Sequence, residues 1–216
     1  MLLVVLLGLP LAVVMAALWF LMRVPAPRLP AKTAKFWSQI IETSAQQHVE
    51  LIVDLVRNAQ FSYRADLAAL VPTGNPDQDE SLGDDAHLLD ELRKLSLQGA
   101  VVAAYVMVEL DTKRIMRHCW DPETIRRHYQ FNRLKKFLKK ELAIRLAGLP
   151  DYNEVRELLA VNNAIKHAGM VTPELARFRG WNEGDELANL DVFLQRTLPA
   201  LPRYLGSIAD SIITTP

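Results

Sequence analysis

The chain has 216 residues, half of them hydrophobic, and its 25 basic residues are balanced by 25 acidic ones. Net charge therefore makes no case for a polyanion partner. The single cysteine, Cys119, excludes an intrachain disulfide and any multi-cysteine metal site, and fits a reducing compartment.

Leu2 to Met22 carry no charged side chain and run Leu, Val, Ala and Met almost without a break. That is the length a helix needs to cross the hydrocarbon core of a bilayer, ~20 residues, and membrane helices tolerate a kink such as Pro10 would give. Arg23, Arg28, Lys32 and Lys35 all follow the segment. The positive-inside rule then predicts a transmembrane anchor over residues 1–22, with the remainder of the chain on the cytoplasmic face of the membrane. A translation start at Met22 is the competing reading. A cleaved signal peptide fits less well, because a basic n-region is missing and the apolar run is too long. Residues 23–32 contain three prolines in the stretch VPAPRLP and predict an extended, semi-rigid linker.

Residues 33–216 are long enough for one domain with a real core. Apolar residues recur at helical spacing from Phe36 to Leu70, predicting a helix over Thr33 to Val71 with a bend at Asn58-Ala59-Gln60. Pro72 to Asp85 (PTGNPDQDESLGDD) reads as a polar Gly/Pro-rich loop, and the absence of Gly-Lys-Ser/Thr after its glycines excludes a nucleotide P-loop. A long helix is expected from about Asp85 to Arg117, capped by Asp84 or Asp85. Its nearly all-apolar middle, Gly99 to Val108, is too short to span a bilayer and reads as the buried centre of a bundle.

Asp121-Pro122-Glu123 has the form of a helix start with Pro at the first position, and a helix should follow to about Leu146. Between Lys113 and Arg145 eleven basic residues face three acidic ones, Asp121, Glu123 and Glu141, a local excess of +8. Lysines fall in pairs around Phe131, Leu134, Phe137 and Leu138, so the helix is amphipathic with a basic outer face; a solvated lysine face is the commoner meaning of that pattern. Gly148-Leu149-Pro150 ends this helix, Asp151 or Asn153 can cap the next, and a final helix from Asp185 to Ile213 must be kinked or split by Pro199 and Pro202. No segment alternates with period two. The fold class expected is all-α, an antiparallel helical bundle of about five helices preceded by the N-terminal hydrophobic helix.

The chemistry concentrates in Glu154 to Gly169, EVRELLAVNNAIKHAG. On a helix, Asn163 and His167 are i,i+4 neighbours, with Asn162 beside them and Lys166 nearby. An amide, an ammonium and an imidazole at a helix end could contact a phosphate or move a proton. The plainer reading is a helix C-terminus where positive charge suits the dipole and Gly169 supplies a left-handed cap.

With its setting, this motif resembles the HEPN superfamily of small antiparallel helical bundles. The resemblance rests on a long apolar middle helix ending in Ala104-Tyr105-Val106-Met107-Val108-Glu109, and on the lysine-rich stretch Arg133 to Leu138. It rests also on Asn162 to Gly169, followed by Trp181, Gly184 and a final amphipathic helix. Many members are metal-independent ribonucleases carrying an Arg, a polar residue, three further residues and a His, and they usually build their cleft across a two-fold dimer. In this chain the Arg position falls on Asn162, the polar position on Asn163 and the His on His167.

The resemblance implies no cofactor and no metal, a homodimer, and RNA or a partner protein as ligand. If the chain is catalytic, the family implies attack of a ribose 2′-hydroxyl on the neighbouring phosphate. His167 would then be general acid or base, Asn163 and Asn162 its companions, and Lys166, Lys135, Lys136, Lys139 and Lys140 the backbone-binding cations. Asn162 departs from the pattern, since an amide supplies no fixed charge to the phosphate, and losing such a transition-state contact typically costs ~10² or more in rate. Arg156 does not replace it, lying ~16 Å from His167 along the helix axis. The reading preferred is a non-catalytic or degenerate RNA- or partner-binding module of a defence, stress or toxin–antitoxin system. There the two asparagines and His167 would hydrogen-bond the Thr172 to Gly184 loop. The alternative is the endoribonuclease.

Two further constellations are weaker. Ser44 and His48 are one turn apart with no evident acid to orient the His. His118, Cys119 and His128 flank a turn but lack a fourth metal ligand. Glu109 reads as a structural ion-pair partner, and Trp181 as packed on the bundle.

Overall fold

The computed structural model describes residues 34–117, 120–128 and 130–214; the apolar stretch Leu2 to Met22 and its proline-rich linker lie outside them. The described part is an all-α bundle. Helix α1 spans Ala34–Ala69, α2 Pro76–Arg117, α3 Pro122–His128, α4 Phe131–Glu141, α5 Tyr152–His167, α6 Leu190–Thr197 and α7 Ala200–Thr214. Single 3-10 turns occur at Leu146–Gly148 and Leu175–Arg177, and an isolated bridge joins Met170 to Glu186.

Helix α1 runs unbroken through Asn58-Ala59-Gln60, where the sequence predicts a bend. Its buried side, Trp37, Ile41, Ala45, Val49 and Ile52, ends before that point, and the turns beyond are held by Gln60, whose amide donates to Asp191 at 3.4 Å, and by Tyr63 beneath the Arg93 guanidinium. Helix α2 starts nine residues before the expected Asp85. Asn75 accepts the Asp77 amide at 3.1 Å, Pro76 takes the first helical position, and the Asp79 carboxylate accepts the Thr73 and Gly74 amides at 2.8 and 3.2 Å. Acidic residues read as loop composition are, in the first turn of a helix, stabilised by its dipole. The connection shrinks to Leu70–Asn75, with Gly74 at φ +77°, a left-handed turn that favours glycine.

The single helix expected from Asp121 to Leu146 is two. Asp121 caps α3 through the Glu123 and Thr124 amides, both at 3.0 Å, with Pro122 at the first position as anticipated. Helix α4 seats buried Leu134 and Leu138 inward, and burial of a leucine contributes about 2 kcal/mol. Trp120 and Phe137 meet edge to face at 5.2 Å, which fixes α4 to the end of α2. Pro199 splits the last helix as expected, giving α6 and α7. Pro202 falls in the first turn of α7, where a missing amide removes no helical hydrogen bond.

The core is centred on Ala100, Val101, Ala104, Met107 and Val108 of α2, the stretch expected to be central. Helix α1 packs along α7 and α2, and α5 is held among α2, α6 and α7. At the α1–α7 crossing a Cβ on Gly206 would come within 3.3 Å of Glu42 Oε2, so the missing side chain lets the two helices approach closely. Among the described residues one helix, Asp77–Arg117, is long and apolar enough to cross a membrane. Half of its most apolar 18-residue stretch is buried within the bundle, which is how the core helix of a folded domain behaves.

Candidate functional site

Helix α5 carries the motif, and its two halves meet different surroundings. In the first half Val155 and Leu158 pack into the core, and buried Glu157 receives three hydrogen bonds. Trp181 Nε1 donates to it at 2.8 Å, and the Arg196 guanidinium donates at 2.9 and 2.7 Å, one bond to each carboxylate oxygen. The guanidinium's pKa is raised, chiefly by these hydrogen bonds, while desolvation opposes the shift. Trp181 meets Phe193 edge to face at 6.0 Å. One carboxylate thus ties α5 to the loop after it and to α6. Trp181 is packed as the sequence suggests, but its carboxylate partner is not legible there, since nothing local distinguishes Glu157 from the other charges of the helix.

Asp151, one of the two N-cap candidates for α5, takes the N-cap position at φ +58°, but its side chain makes no capping hydrogen bond. It instead accepts bidentate hydrogen bonds from Arg203 of α7, at 2.8 and 3.0 Å. At the other end Gly169, at φ +68°, closes the helix through its amide to the Ala164 carbonyl at 2.9 Å, the left-handed cap anticipated from the sequence.

The motif residues divide between core and surface. Asn162 is 1 % exposed, with its Oδ1 enclosed and without a hydrogen-bond partner among the described residues. Asn163 is half-buried, and Lys166 and His167 are exposed on the last turn, with the Lys166 ammonium 5.7 Å from the centre of the Tyr105 ring. Tyr105 in turn donates to Glu109 at 3.0 Å, so this acid has a structural hydrogen bond from a neutral phenol where the sequence suggests an ion pair. Among the described residues no hydrogen bond joins the side chains of Asn162, Asn163 or His167 to the Thr172 to Gly184 loop. That loop is held by Glu157 through Trp181, and by Arg156, whose guanidinium lies 3.8 Å from Glu174 and over the Phe178 ring.

The lysines of α4 are not part of this cluster. Lys135 donates to the Tyr152 hydroxyl at 3.1 Å, and Phe131 stacks on the same ring at 6.0 Å. Tyr152 opens α5 and His167 ends it, fifteen residues or ~22 Å apart along the axis. Lys136, Lys139 and Lys140 point outward from α4. The structure therefore brings Asn163, Lys166 and His167 to one end of α5, and places the basic face at the other.

His48 does have an acid. Its Nδ1 lies 3.3 Å from Asp111 Oδ2, a buried carboxylate on α2 that also accepts Arg114 at 2.9 Å. The pairing crosses 63 positions of sequence and joins α1 to α2. No hydrogen bond links Ser44 to His48 among the described residues, so the group is an interhelical clasp without an activated hydroxyl. His118 and Cys119 fall outside the described residues. His128 stacks on Phe137 at 4.5 Å, and no group of three or more His, Cys, Asp or Glu side chains converges as a metal site among the described residues.

Comparison of the chain with protein-family models, with curated proteins and with solved structures returned no match.

Proposed function

We propose that the chain is a non-catalytic, HEPN-like helical module that binds a partner, tethered to the cytoplasmic face of a membrane by Leu2 to Met22 and serving a defence or stress system. The observation that carries the non-catalytic reading is the burial of Asn162. A side chain 1 % exposed does not reach a phosphate in solvent, and an amide would bring no charge if it did. Its position is spent on packing α5.

Of the two ligand classes, a protein partner is favoured over RNA. Phe36, Ile40, Leu51 and Phe61 are exposed on α1 and fall within an arc of about 80°, a stripe along its outer side, and Leu88 and Leu95 are exposed one above the other on α2. Exposed aromatic and aliphatic side chains aligned on one side of a helix support a protein partner over a polyanion.

The second reading, a metal-independent endoribonuclease, draws on the exposure of His167 one turn after Asn163. The full-length chain and its His167→Ala variant, incubated with total RNA, separate the two: the module leaves RNA intact in both cases, and the nuclease cleaves only with the imidazole present. For the interface, the chain solubilised from its native membrane is expected to migrate as part of a larger assembly, and a Leu51→Glu, Phe61→Glu double variant as the free chain. Identical migration of both at the size of the free chain would overturn the binding proposal.

A further inference from the structure

Helix α4 presents Arg133, Lys136, Lys139 and Lys140 on its outer side, and the stretch Phe131 to Lys140 contains no acid. Lys140 pairs with Glu141 at 3.0 Å, while Arg133, Lys136 and Lys139 have no ion-pair partner among the described residues. The neighbouring α3 adds Arg126 and Arg127, both held on Glu123.

A sequence of contacts places this face within the fold. Lys135 touches Tyr152, and its neighbour Asp151 holds Arg203. Arg203 lies one turn from Gly206 on α7, and Glu42 lies against Gly206. Glu42 is eight residues, ~12 Å, from the start of α1 at Ala34. The basic face of α4 and the point where the linker joins the bundle therefore share one end. Eleven residues, Arg23 to Thr33, separate the apolar stretch from α1, so their reach is no more than ~40 Å at full extension.

The opposite charge sits at the far end. Asp77, Asp79, Glu80, Asp84, Asp85, Asp90 and Glu91 crowd the N-terminal part of α2, a helix ~63 Å long whose last turns carry Lys113, Arg114 and Arg117. Arg93, just beyond the acids, lies over Tyr63 near the C-terminal end of α1, away from Ala34. A neutral chain is thus polarised along its length, positive at the linker end and negative at the other, and a field of that form orients the body on an anionic surface.

We infer that the α4 face, with Arg133, Lys136, Lys139 and Lys140, docks on anionic lipid headgroups of the membrane that holds the N-terminal segment. This inference rests on the tether proposed for Leu2 to Met22. The interaction is electrostatic, strongest within about 10 Å of the surface at 0.1 M salt, and each cation near an anionic leaflet favours the bound state about fivefold. The body then stands acidic end outward.

The test uses the full chain reconstituted in phosphatidylcholine vesicles with and without phosphatidylglycerol. Lysine acetylation is followed by mass spectrometry, with Lys166 as the internal standard on another surface. The expected result is at least tenfold protection of Lys136 and Lys139, confined to vesicles containing phosphatidylglycerol, reversed by high salt, and lost in the Arg133→Gln, Lys140→Gln variant. Equal acetylation in the two lipids overturns the docking, as does protection by added RNA in phosphatidylcholine alone, which assigns the face to nucleic acid. Alkaline carbonate extraction reads the tether separately: release of the chain from vesicles removes the tether, and the docking with it.

Discussion

The two ends of α5 differ in what their polar groups do. At the first end a buried carboxylate, Glu157, is fully engaged by an indole and a guanidinium, and Asp151 clamps Arg203; at the last turn Lys166 and His167 stand in solvent. The comparison separates polar residues that hold the fold from polar residues left for contact. In this helix the residues most suggestive of chemistry in sequence are in part the structural ones. Asn162 belongs to the core, while its neighbour Asn163 looks partly outward.

The largest test of that division is Glu157→Ala. It strands the Trp181 N–H beneath the loop and removes the carboxylate from a half-exposed guanidinium that water can partly re-solvate. We expect a loss of about 2–3 kcal/mol by urea denaturation. A loss below about 0.5 kcal/mol would mean that the first half of α5 is no more anchored than the last turn.

Next in size is Gly206→Leu at the α1–α7 crossing. Several heavy atoms would be pushed toward Glu42, at an expected cost of about 1–3 kcal/mol. An unchanged melting curve would show that the two helices are less closely seated than described.

Asn162→Leu sharpens the comparison from the other side. Replacing an enclosed, unpartnered carbonyl oxygen by an apolar group of similar volume should change stability by less than about 1 kcal/mol, in either direction. Destabilisation well beyond that would reveal a polar partner for Asn162 and reopen its role in a site. His167→Ala, on the exposed turn, should alter stability by no more than about 0.5 kcal/mol.

The smallest effect concerns pH. The Asp121 carboxyl is held below the ordinary carboxylate range, first by the Thr124 hydroxyl and then by backbone amides at the start of α3. A depressed folded-state pKa stabilises most above the unfolded value, near ~3.9, and that contribution disappears as pH falls through the lower folded value. Acid titration should therefore loosen α3 slightly below pH ~4, seen as faster amide exchange at Glu123 and Thr124, and Asp121→Asn should flatten that response.

Much of the architecture was written in short-range pattern. The apolar period of 3.6, the Pro122 start, the Gly169 cap and the Pro199 split all act within a few residues, and all appear where the sequence predicts them. The errors came where one composition serves two purposes. Asp77 to Asp85 reads as an acidic loop yet forms the first turns of α2, because acids near a helix N-terminus interact favourably with its dipole. The candidate site was less legible. Its residues could be named from local spacing, but whether Asn162 faced a cleft or the core depended on how α5 is rotated against α2 and α7.

By itself the sequence determined an all-helical body, its central apolar helix and the uneven distribution of charge, since each follows from local period or composition. Tertiary structure alone decided that Asp111 would meet His48, that Glu157 would meet Trp181 and Arg196, and that the α4 lysines and His167 would occupy opposite ends of α5. Those outcomes depend on groups up to 63 positions apart. Helical periodicity fixes which residues share a face of one helix and is silent on which helix that face will meet.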